Sequence, residues 1–269
     1  MPSRFSSWDS YFWEPGGSVL RNLYGERDSL ALEKKEYAET NAQQFDIERG
    51  AVEISRTYDA DHLEAIHKQL FGNVYEWAGE FRTTTLTNFP TDFAGPKEIP
   101  KYLSEASKMI GAADWSTMDR DQFAAAAAKV FAHVNQAHPF REGNGRTSKL
   151  FMQHVSELSP YRINYDPRTS GVTKEVWNQA SMFAGPDLGK SMPQPESLVP
   201  VFRAMAVERG AAALSEAKDK SPELRRDRSS GRASFPTAPS TARNASAEAG
   251  YVARVKPTTP DRRYDVGRD

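Results

Sequence analysis

Apolar residues recur at intervals of three and four positions along most of the chain. In residues 59–71, Leu63, Ile66 and Leu70 form such a series behind two Asp residues that suit a helix N-terminus. The same pattern predicts helices over six segments: 59–71, 98–113, 118–138, 143–158, 173–184 and 195–217. Because residues 118–138 are the most alanine-rich of these, we expect that helix at the centre of a mostly α fold, packed closely on several sides.

Only residues 80–95 look strand-like. They contain a β-branched run and two phenylalanines, with Asn88, Pro90 and Asp92 favouring a turn between them. We therefore predict a β-hairpin-like flap at this point of the chain. In the last predicted helix, Pro200 is expected to break the first turn.

The helical pattern stops at about residue 216, where the composition changes to Ser, Pro, Ala, Arg and Thr. Residues 217–269 hold 12 Lys and Arg and 7 Asp and Glu, a net charge of +5, whereas residues 1–216 carry a net charge of −6. So few apolar residues cannot offset the loss of chain entropy on folding. We expect one folded domain over residues 1–216 and a disordered basic tail over residues 217–269.

The composition also excludes several kinds of chemistry. The chain has no cysteine, so disulfides, thiolate zinc sites and a cysteine nucleophile are absent. Its 38% hydrophobic content is typical of a soluble globular protein. The N-terminus shows no signal peptide and no apolar run is long enough to span a membrane, which predicts synthesis in the cytoplasm.

The stretch HPFREGNGRT, residues 138–147, concentrates polar chemistry between two predicted helices. Pro139 makes it unfavourable for the first helix to continue from His138, and Gly143 marks the start of the second helix. A helix N-terminus presents unpaired backbone N–H groups, and glycines allow close approach. Such a loop is suited to binding anions, phosphates in particular.

The neighbouring side chains fit a nucleotide. Asn144 can donate to a phosphate oxygen and Arg146 can bind a phosphate with two parallel hydrogen bonds. Glu142 can help to hold Mg²⁺, which prefers one or two carboxylates together with phosphate oxygens and waters. His138 is then available as a general base for an incoming hydroxyl, while Phe140 is expected to point into the core and fix the shape of the loop.

The loop resembles the active-site motif of the Fic domain family, named for filamentation induced by cAMP. That motif reads His-x-Phe-x-(Asp/Glu)-Gly-Asn-Gly-Arg-x-x-Arg, and residues 138–146 match every specified position. Residues 63–83 are similar to the segment that precedes it in Fic proteins, and residues 16–28 resemble the start of small bacterial members. Together these segments cover most of residues 10–160.

The resemblance implies a Fic-fold helical bundle with a core over about residues 58–160. Members usually transfer AMP from Mg²⁺-bound ATP to a hydroxyl side chain of a target protein. By this resemblance His138 is the general base, Glu142 the Mg²⁺ ligand, and Gly143, Asn144, Gly145 and Arg146 the phosphate cradle, with Phe140 structural. Residues 82–93 correspond to the flap that positions the target by strand-like pairing, with Thr83, Thr84, Thr85 and Leu86 as candidates for that role.

One position departs from the family pattern, because Lys149 stands where the last Arg is expected. In the family that Arg binds the outermost phosphate and orients the nucleotide. Lysine keeps the charge but lacks the planar fork, so we expect Lys149 to bind phosphate with less control of orientation.

The resemblance also bears on regulation. Many Fic proteins carry an inhibitory helix with the pattern Ser/Thr-x-x-x-Glu-Gly/Asn, and this chain has no such sequence. A separate antitoxin or regulation by delivery is therefore expected, as in a bacterial toxin or secreted effector. Compositionally, the Arg-rich tail resembles signals of type IV secretion, so translocation out of the cytoplasm is a further possibility. Family precedent points to type II topoisomerase subunits as targets, and direct nucleic-acid binding is not expected despite the basic tail.

Alternatives of other classes stay open at the level of sequence. One is phosphoryl transfer as in the Doc kinases, whose loop has Ala and Lys in place of Gly143 and Gly145. Another is a non-catalytic binding protein that works through the basic tail. For single residues, ordinary structural roles are expected: Arg141 in a surface salt bridge, and a further set as surface or core residues, namely His62, His67, His154, Tyr75, Trp77 and Phe81.

Overall fold

The computed structural model describes residues 4–88 and 91–210. The predicted tail over residues 217–269, with its boundary at residue 216, lies outside the described residues. Within them, no helix is long and apolar enough to cross a membrane.

Helices dominate the described part of the chain. The α-helices are α1 Ser29–Glu48, α2 Ala60–Phe71, α3 Ile99–Ala112, α4 Arg120–Ala137, α5 Asn144–Ser156, α6 Pro167–Ser170, α7 Lys174–Phe183 and α8 Val199–Met205. Short 3₁₀ turns lie at Asp9–Tyr11, Trp115–Thr117 and Pro195–Ser197. Four short strands form two antiparallel pairs: β1 Thr87–Asn88 with β2 Thr91–Asp92, and β3 Tyr161–Ile163 with β4 Ala206–Glu208.

Helix α4 is the centre of the fold, as its composition predicts. Asp119 caps its N-terminus by accepting from the backbone N–H of Gln122, whose side chain accepts from the backbone N–H of Asp119. Ala124, Ala127 and Ala128 are completely buried. Their small side chains allow α3, α5 and α8 to pack against α4 from different sides.

Five of the six predicted helices lie within one or two residues of their predicted ends. The sixth prediction is wrong for residues 206–210, and its last residues, 211–217, lie outside the described residues. Pro200 lies in the first turn of α8, after the 3₁₀ turn at residues 195–197, and the helix already ends at Met205. Residues 206–208 continue as β4, because Ala206 and its neighbours pair with β3, a second strand pair that the sequence does not predict.

The predicted hairpin-like flap is present. Strand β1 pairs with β2 so that Thr87 faces Asp92 and Asn88 faces Thr91. The returning chain is fixed to α4: the Ala94 N–H donates to the Gln136 carbonyl, and the Gln136 side chain donates to the Asp92 carbonyl. The flap is therefore attached to the same end of α4 that leads into the loop of residues 138–147.

Candidate active site

The loop that joins α4 to α5 brings the predicted polar residues together at one cleft. His138 ends α4 in the left-handed conformation, with φ 39° and ψ 58°. Gly143 precedes α5 and is also left-handed, with φ 79°. A non-glycine residue in that conformation is strained, so its surroundings must hold His138 there.

The two glycines of the loop serve different purposes. A Cβ on Gly143 would lie 2.3 Å from the Phe71 ring, so the loop can pack against α2 only with glycine at this position. A Cβ on Gly145 would meet nothing within 4 Å. Gly145 is exposed in the first turn of α5 and leaves open space in front of the helix N-terminus.

Asn144 closes the loop on itself. Its Oδ1 accepts from the Phe140 N–H at 2.8 Å, and its Nδ2 donates to the Phe140 carbonyl at 2.7 Å. Phe140 is completely buried and stacks on His67 with ring centroids 3.8 Å apart, which confirms the expectation that it points into the core. Asn144 thus commits one of its two N–H donors to the loop and keeps one for a ligand.

The N-terminus of α5 faces this open space. Among the described residues, no side chain caps it, and the Gly143 N–H is satisfied only by the adjoining Glu142 carboxylate at 3.1 Å. The backbone N–H groups of Asn144, Gly145 and Arg146 lie in the first turn, where a helix offers no internal acceptor. Their combined dipole favours an anion at this point.

His138 is oriented by the flap. The Phe93 ring stacks on the imidazole, with centroids 3.7 Å apart and planes at 15°. Burial, followed by the positive charge of Arg82, lowers the pKa of His138 to about 3, well below its ordinary value of 6.5. The imidazole is therefore neutral at physiological pH and can accept a proton.

Glu142 lies close to a second carboxyl group, that of Glu36. Burial and the neighbouring Glu36 raise the pKa of the Glu142 carboxyl, while Arg146 and Arg141 act in the opposite direction. Glu36 comes from α1 and is itself buried. Two carboxylates at one buried place favour a bound cation, which offsets their repulsion.

Arg146 is held from behind by α1. It forms an ion pair with Glu36 and donates to Thr40 Oγ1 at 3.0 Å. Its guanidinium also lies 4.7 Å from the centroid of the Phe71 ring. Tyr75 donates its hydroxyl to the same Glu36, so Glu36 is shared between two donors and fixes the position of Arg146.

Lys149 lies one turn further along α5. Its ammonium group is 5.6 Å from the Tyr165 ring centroid and 5.7 Å from the Trp177 ring centroid. Cation–π contacts of this kind restrict a flexible lysine. Lys174, at the start of α7, lines the same cleft.

The flap residues divide into two groups. Leu86 is buried and lines the cleft. Thr83 donates to the Phe5 carbonyl at 2.7 Å, and the Thr84 carbonyl accepts from Arg82 at 2.6 Å, so both are engaged inside the protein. Thr85 is exposed, as is Thr83.

Most of the residues given ordinary structural roles are buried. Tyr75 and Trp77 are each 1% exposed, and Phe81 packs against the core. The three histidines are buried: His62 pairs with His154 at 2.9 Å, and His67 contacts the Glu142 carbonyl at 3.0 Å.

Arg141 forms no salt bridge with any residue that the structure describes, and the expectation of a surface salt bridge is wrong there. Its guanidinium lies among the rings of three residues in the N-terminal segment, at 3.9 Å from Trp8, 5.2 Å from Phe12 and 5.8 Å from Tyr11. The N-terminal segment therefore packs directly against the loop.

One cleft of about 210 Å³ is lined by all five polar residues of the motif at residues 138–146 and by Lys149, and its far wall is formed by α7. The model of the Fic/DOC family matches residues 57–156. Residues 57–156 thus resemble a Fic domain, in agreement with the resemblance of the motif at residues 138–146.

Known proteins resemble this part of the chain and its surroundings. The protein adenylyltransferase VbhT of Bartonella schoenbuchensis is 33% identical over 156 residues, 58% of this chain and 32% of VbhT. Fic of Escherichia coli K12 is 26% identical over 67% of this chain and 87% of its own length. The chain thus spans about a third of VbhT and most of the smaller relative.

A solved structure shares the fold. It is the N-terminal Fic domain of a VirB-translocated Bep effector protein from Bartonella quintana with bound ADP. The two are 26% identical and superpose with a TM-score of 0.61, covering 76% of this chain and 97% of that one. A mostly helical Fic fold, expected from the sequence, is confirmed.

The sequence does not predict the roles of three residues around the motif: Glu36, Arg82 and Phe93. Glu36 lies in a helix that was not predicted, and no local pattern marks its pairing with Arg146. Arg82 and Phe93 lie within the predicted flap, but their contacts with the end of α4 join positions more than forty residues apart. An arginine directly before a β-branched run was the one local signal for the first of them.

Proposed function

We propose that this protein is a protein adenylyltransferase, an enzyme that transfers AMP from ATP to a hydroxyl side chain of a target protein. The observation that carries the proposal is the position of a neutral imidazole, His138, beside an uncapped helix N-terminus in one cleft. The first group suits deprotonation of a hydroxyl, and the second suits phosphate binding. Relatives that carry this domain are named protein adenylyltransferases.

In the proposed reaction His138 accepts the proton of the target hydroxyl as its oxygen attacks the α-phosphorus. A bond forms between that oxygen and phosphorus, the bond from phosphorus to the bridging oxygen breaks, and pyrophosphate leaves. The N–H groups at the start of α5 and the charges of Arg146 and Lys149 stabilise the phosphate oxygens. Phe93 keeps the imidazole in the orientation that this proton transfer requires.

The residues of the cleft fit Mg²⁺. Glu142 supplies a buried carboxylate that lies near a second carboxylate, Glu36, and a divalent cation would offset this accumulation of negative charge. Among the described residues, no group of three or more His, Asp or Glu side chains could hold a metal ion alone. This agrees with an ion held by Glu142 together with nucleotide phosphates, where it would neutralise phosphate charge during transfer.

Phosphoryl transfer is the second candidate, and Lys149 is the observation in its favour. A lysine holds the outer phosphate as a point charge and leaves more freedom for an inverted nucleotide. The glycines argue against it: Gly145 keeps the front of the helix open, and Gly143 permits the close packing of the loop on Phe71. We therefore place adenylyl transfer first.

The partner of the reaction is a protein that presents a Ser, Thr or Tyr hydroxyl beside the flap. We also propose a toxin or effector role with a separate inhibitory protein, since no inhibitory motif occurs in the sequence. The Bartonella quintana protein is described as VirB-translocated. Delivery by a secretion system, with the Arg-rich residues 217–269 as the signal, is the corresponding proposal for this chain.

Labelling distinguishes the two chemistries. Purified protein and His138→Ala are incubated with bacterial lysate, Mg²⁺ and ATP labelled on either the α- or the γ-phosphate. Adenylyl transfer predicts α-label on a protein band only with intact His138, and mass spectrometry of the band identifies the target. Protein label from γ-labelled ATP alone would instead establish a kinase, and no label from either would reject both chemistries for the proteins of that lysate.

A further inference from the structure

Arg82 is a buried cation without a carboxylate partner among the described residues. Its side chain is 2% exposed, and burial lowers the pKa of its guanidinium to about 10, so it stays charged at neutral pH. A buried charge costs several kcal/mol unless hydrogen bonds compensate it. The hydrogen-bond partners of Arg82 therefore indicate which part of the protein its charge stabilises.

Within residues 4–88 and 91–210, all the hydrogen bonds of the Arg82 side chain go to backbone carbonyls. Nε donates to the His138 carbonyl at 2.7 Å, and one terminal nitrogen donates to Thr84 at 2.6 Å. The other terminal nitrogen donates to Ala94 at 2.6 Å and to Ala137 at 3.2 Å. The guanidinium thus joins both sides of the flap, residues 84 and 94, to the C-terminal end of α4.

The end of α4 needs such a partner. The last carbonyls of a helix have no internal donor and carry the negative end of the helix dipole. Arg82 satisfies Ala137 and His138 there, and its own backbone N–H donates to the Pro139 carbonyl at 2.8 Å. Three successive peptide carbonyls around the left-handed residue are thereby fixed from one position.

The contact with Arg82 matters because the backbone of His138 is strained. Its φ of 39° is costly for a residue with a Cβ and persists only where neighbours determine it. Arg82 holds the backbone of His138 from one side of the flap, and Phe93, one residue before Ala94 on the other side, holds the ring. Both restraints come from the flap, and Arg82 ties the two sides of the flap together.

We propose that Arg82 is a positioning residue for the transfer reaction, which holds His138 in its strained conformation and couples the target-binding flap to it. The proposal rests on the proposed function for its kinetic consequence, but the positioning of His138 can be measured separately. Because Arg82 contacts neither the cradle at the start of α5 nor Lys149, its loss should reduce the rate of transfer more than nucleotide affinity.

The planar fork distinguishes arginine from lysine at this position. Arg82→Lys keeps a positive charge but can reach only some of the four carbonyls. Arg82→Gln removes the charge as well. Arg209 offers a matched control, since it is partly buried, donates to the Tyr161 carbonyl at 3.2 Å and to Ser156 Oγ at 3.3 Å, and lies on the β3–β4 side of the protein.

The first measurement is the titration of the His138 imidazole by NMR in full-length protein, which needs no activity. Arg82 acts on this ring from the flap side. The charged residues that line the same cleft are Arg141, Glu142, Arg146, Lys149 and Lys174. Arg82→Lys should shift the His138 resonance while keeping its titration low, and Arg82→Gln should also raise its pKa. Arg209→Lys should leave both unchanged.

The second measurement is the kinetics of AMP transfer. For Arg82→Lys we expect kcat to fall about 10- to 100-fold with the KM for ATP changed less than about twofold. Unchanged His138 resonances in folded Arg82→Lys, or an equal loss of rate in Arg209→Lys, would overturn the proposal. If the native protein transfers no AMP, the proposed function fails, while the NMR titration still decides whether Arg82 positions His138.

Discussion

Single residues decide whether the loop can form and whether it can bind phosphate, and the two glycines separate these tasks. Gly143 is left-handed and lies against Phe71, whereas Gly145 is exposed in front of the α5 N-terminus. A methyl group at the first position clashes with the core, while at the second it projects into the space that a ligand would use.

Replacement by alanine is expected to affect stability and ATP binding differently at the two glycines. Gly143→Ala should lower the free energy of unfolding by about 2 kcal/mol or more, from left-handed strain and the clash with Phe71. Gly145→Ala should leave stability equal or slightly higher, because alanine favours a helix by up to about 1 kcal/mol, yet weaken ATP binding. Urea denaturation and calorimetric titration with Mg²⁺-ATP measure the two effects. A Gly145→Ala protein that binds ATP normally would contradict phosphate binding at this helix end.

At Lys149, one substitution is expected to lower the KM for ATP. Arginine at this position could keep the contact with Tyr165 and Trp177 and add a planar fork for the outer phosphate. For Lys149→Arg we expect the KM for ATP to fall severalfold. The matched control is Lys174→Arg, which makes the same chemical change on the opposite wall of the cleft and should have a smaller effect. A raised KM for ATP in Lys149→Arg would show that lysine suits nucleotide binding at this position better than arginine does.

At the scale of elements, the flap depends on its attachment to α4. Gln136 is buried and holds the returning side of the flap through its side chain, which donates to the Asp92 carbonyl at 3.0 Å. Gln136→Ala removes that hydrogen bond while the backbone bond from Ala94 remains. The flap should then open more often without unfolding α4.

We expect Gln136→Ala to raise the KM for the target protein while leaving the KM for ATP within about twofold, because in the proposed function the target protein pairs with the flap and ATP does not. Hydrogen exchange of the amides in residues 86–94 should also become faster. Gln179→Ala on the exposed face of α7 serves as the control. Equal KM values for the target in both variants would argue against target binding along the flap.

The helices also show which elements can be predicted from the sequence and which cannot. Helices with one apolar face, such as α2 and α3, are predicted within two residues of their ends. Helix α1 was missed because Glu36 and Thr40 are on its buried face while Leu30 and Phe45 are exposed, so it has no apolar stripe. Its buried carboxylate is explained by Arg146 and Tyr75, which are 110 and 39 residues away in the sequence.

The active-site loop was predictable for a different reason. Residues 138–146 are contiguous, so their chemistry can be recognised together without knowledge of the tertiary structure. Strand β4 shows the converse: residues 206–208 carry helical spacing, but pairing with Tyr161–Ile163 determines their conformation. What could not be predicted are contacts between distant segments, among them those of Arg82, Phe93 and Glu36.

For the whole molecule, buried ionisable groups make stability depend on pH in two opposing ways. Burial lowers the pKa of His62 and of His67 to about 3, so the unfolded chain binds protons that the folded protein does not. Their contribution is complete above pH 6.5 and is lost as the pH falls, at up to about 1.4 kcal/mol per pH unit for each group. These two histidines alone would make the protein sensitive to acid.

Glu64 on α2 acts in the opposite direction. Partial burial, with Asp61 and Asp59 nearby, raises the pKa of its carboxyl to about 7. The folded protein therefore binds a proton that the unfolded chain has released, so this contribution is present below pH 4.5 and is lost as the pH rises through 7. Between pH 4.5 and 7 the glutamate offsets part of the stability that the histidines add.

Glu64→Gln separates the two contributions, because glutamine keeps the shape and removes the titration. The variant should be more stable than the native protein at pH 8, and the difference should shrink to nearly zero by pH 4. Its free energy of unfolding should consequently rise more steeply with pH between 4.5 and 7. Urea denaturation at four pH values across this range measures the slope, with Glu14→Gln as a control that removes an exposed carboxylate. Since Glu64 lies outside the cleft, AMP transfer should not change, and parallel stability curves for Glu64→Gln and the native protein would show that this carboxyl ionises freely in the fold.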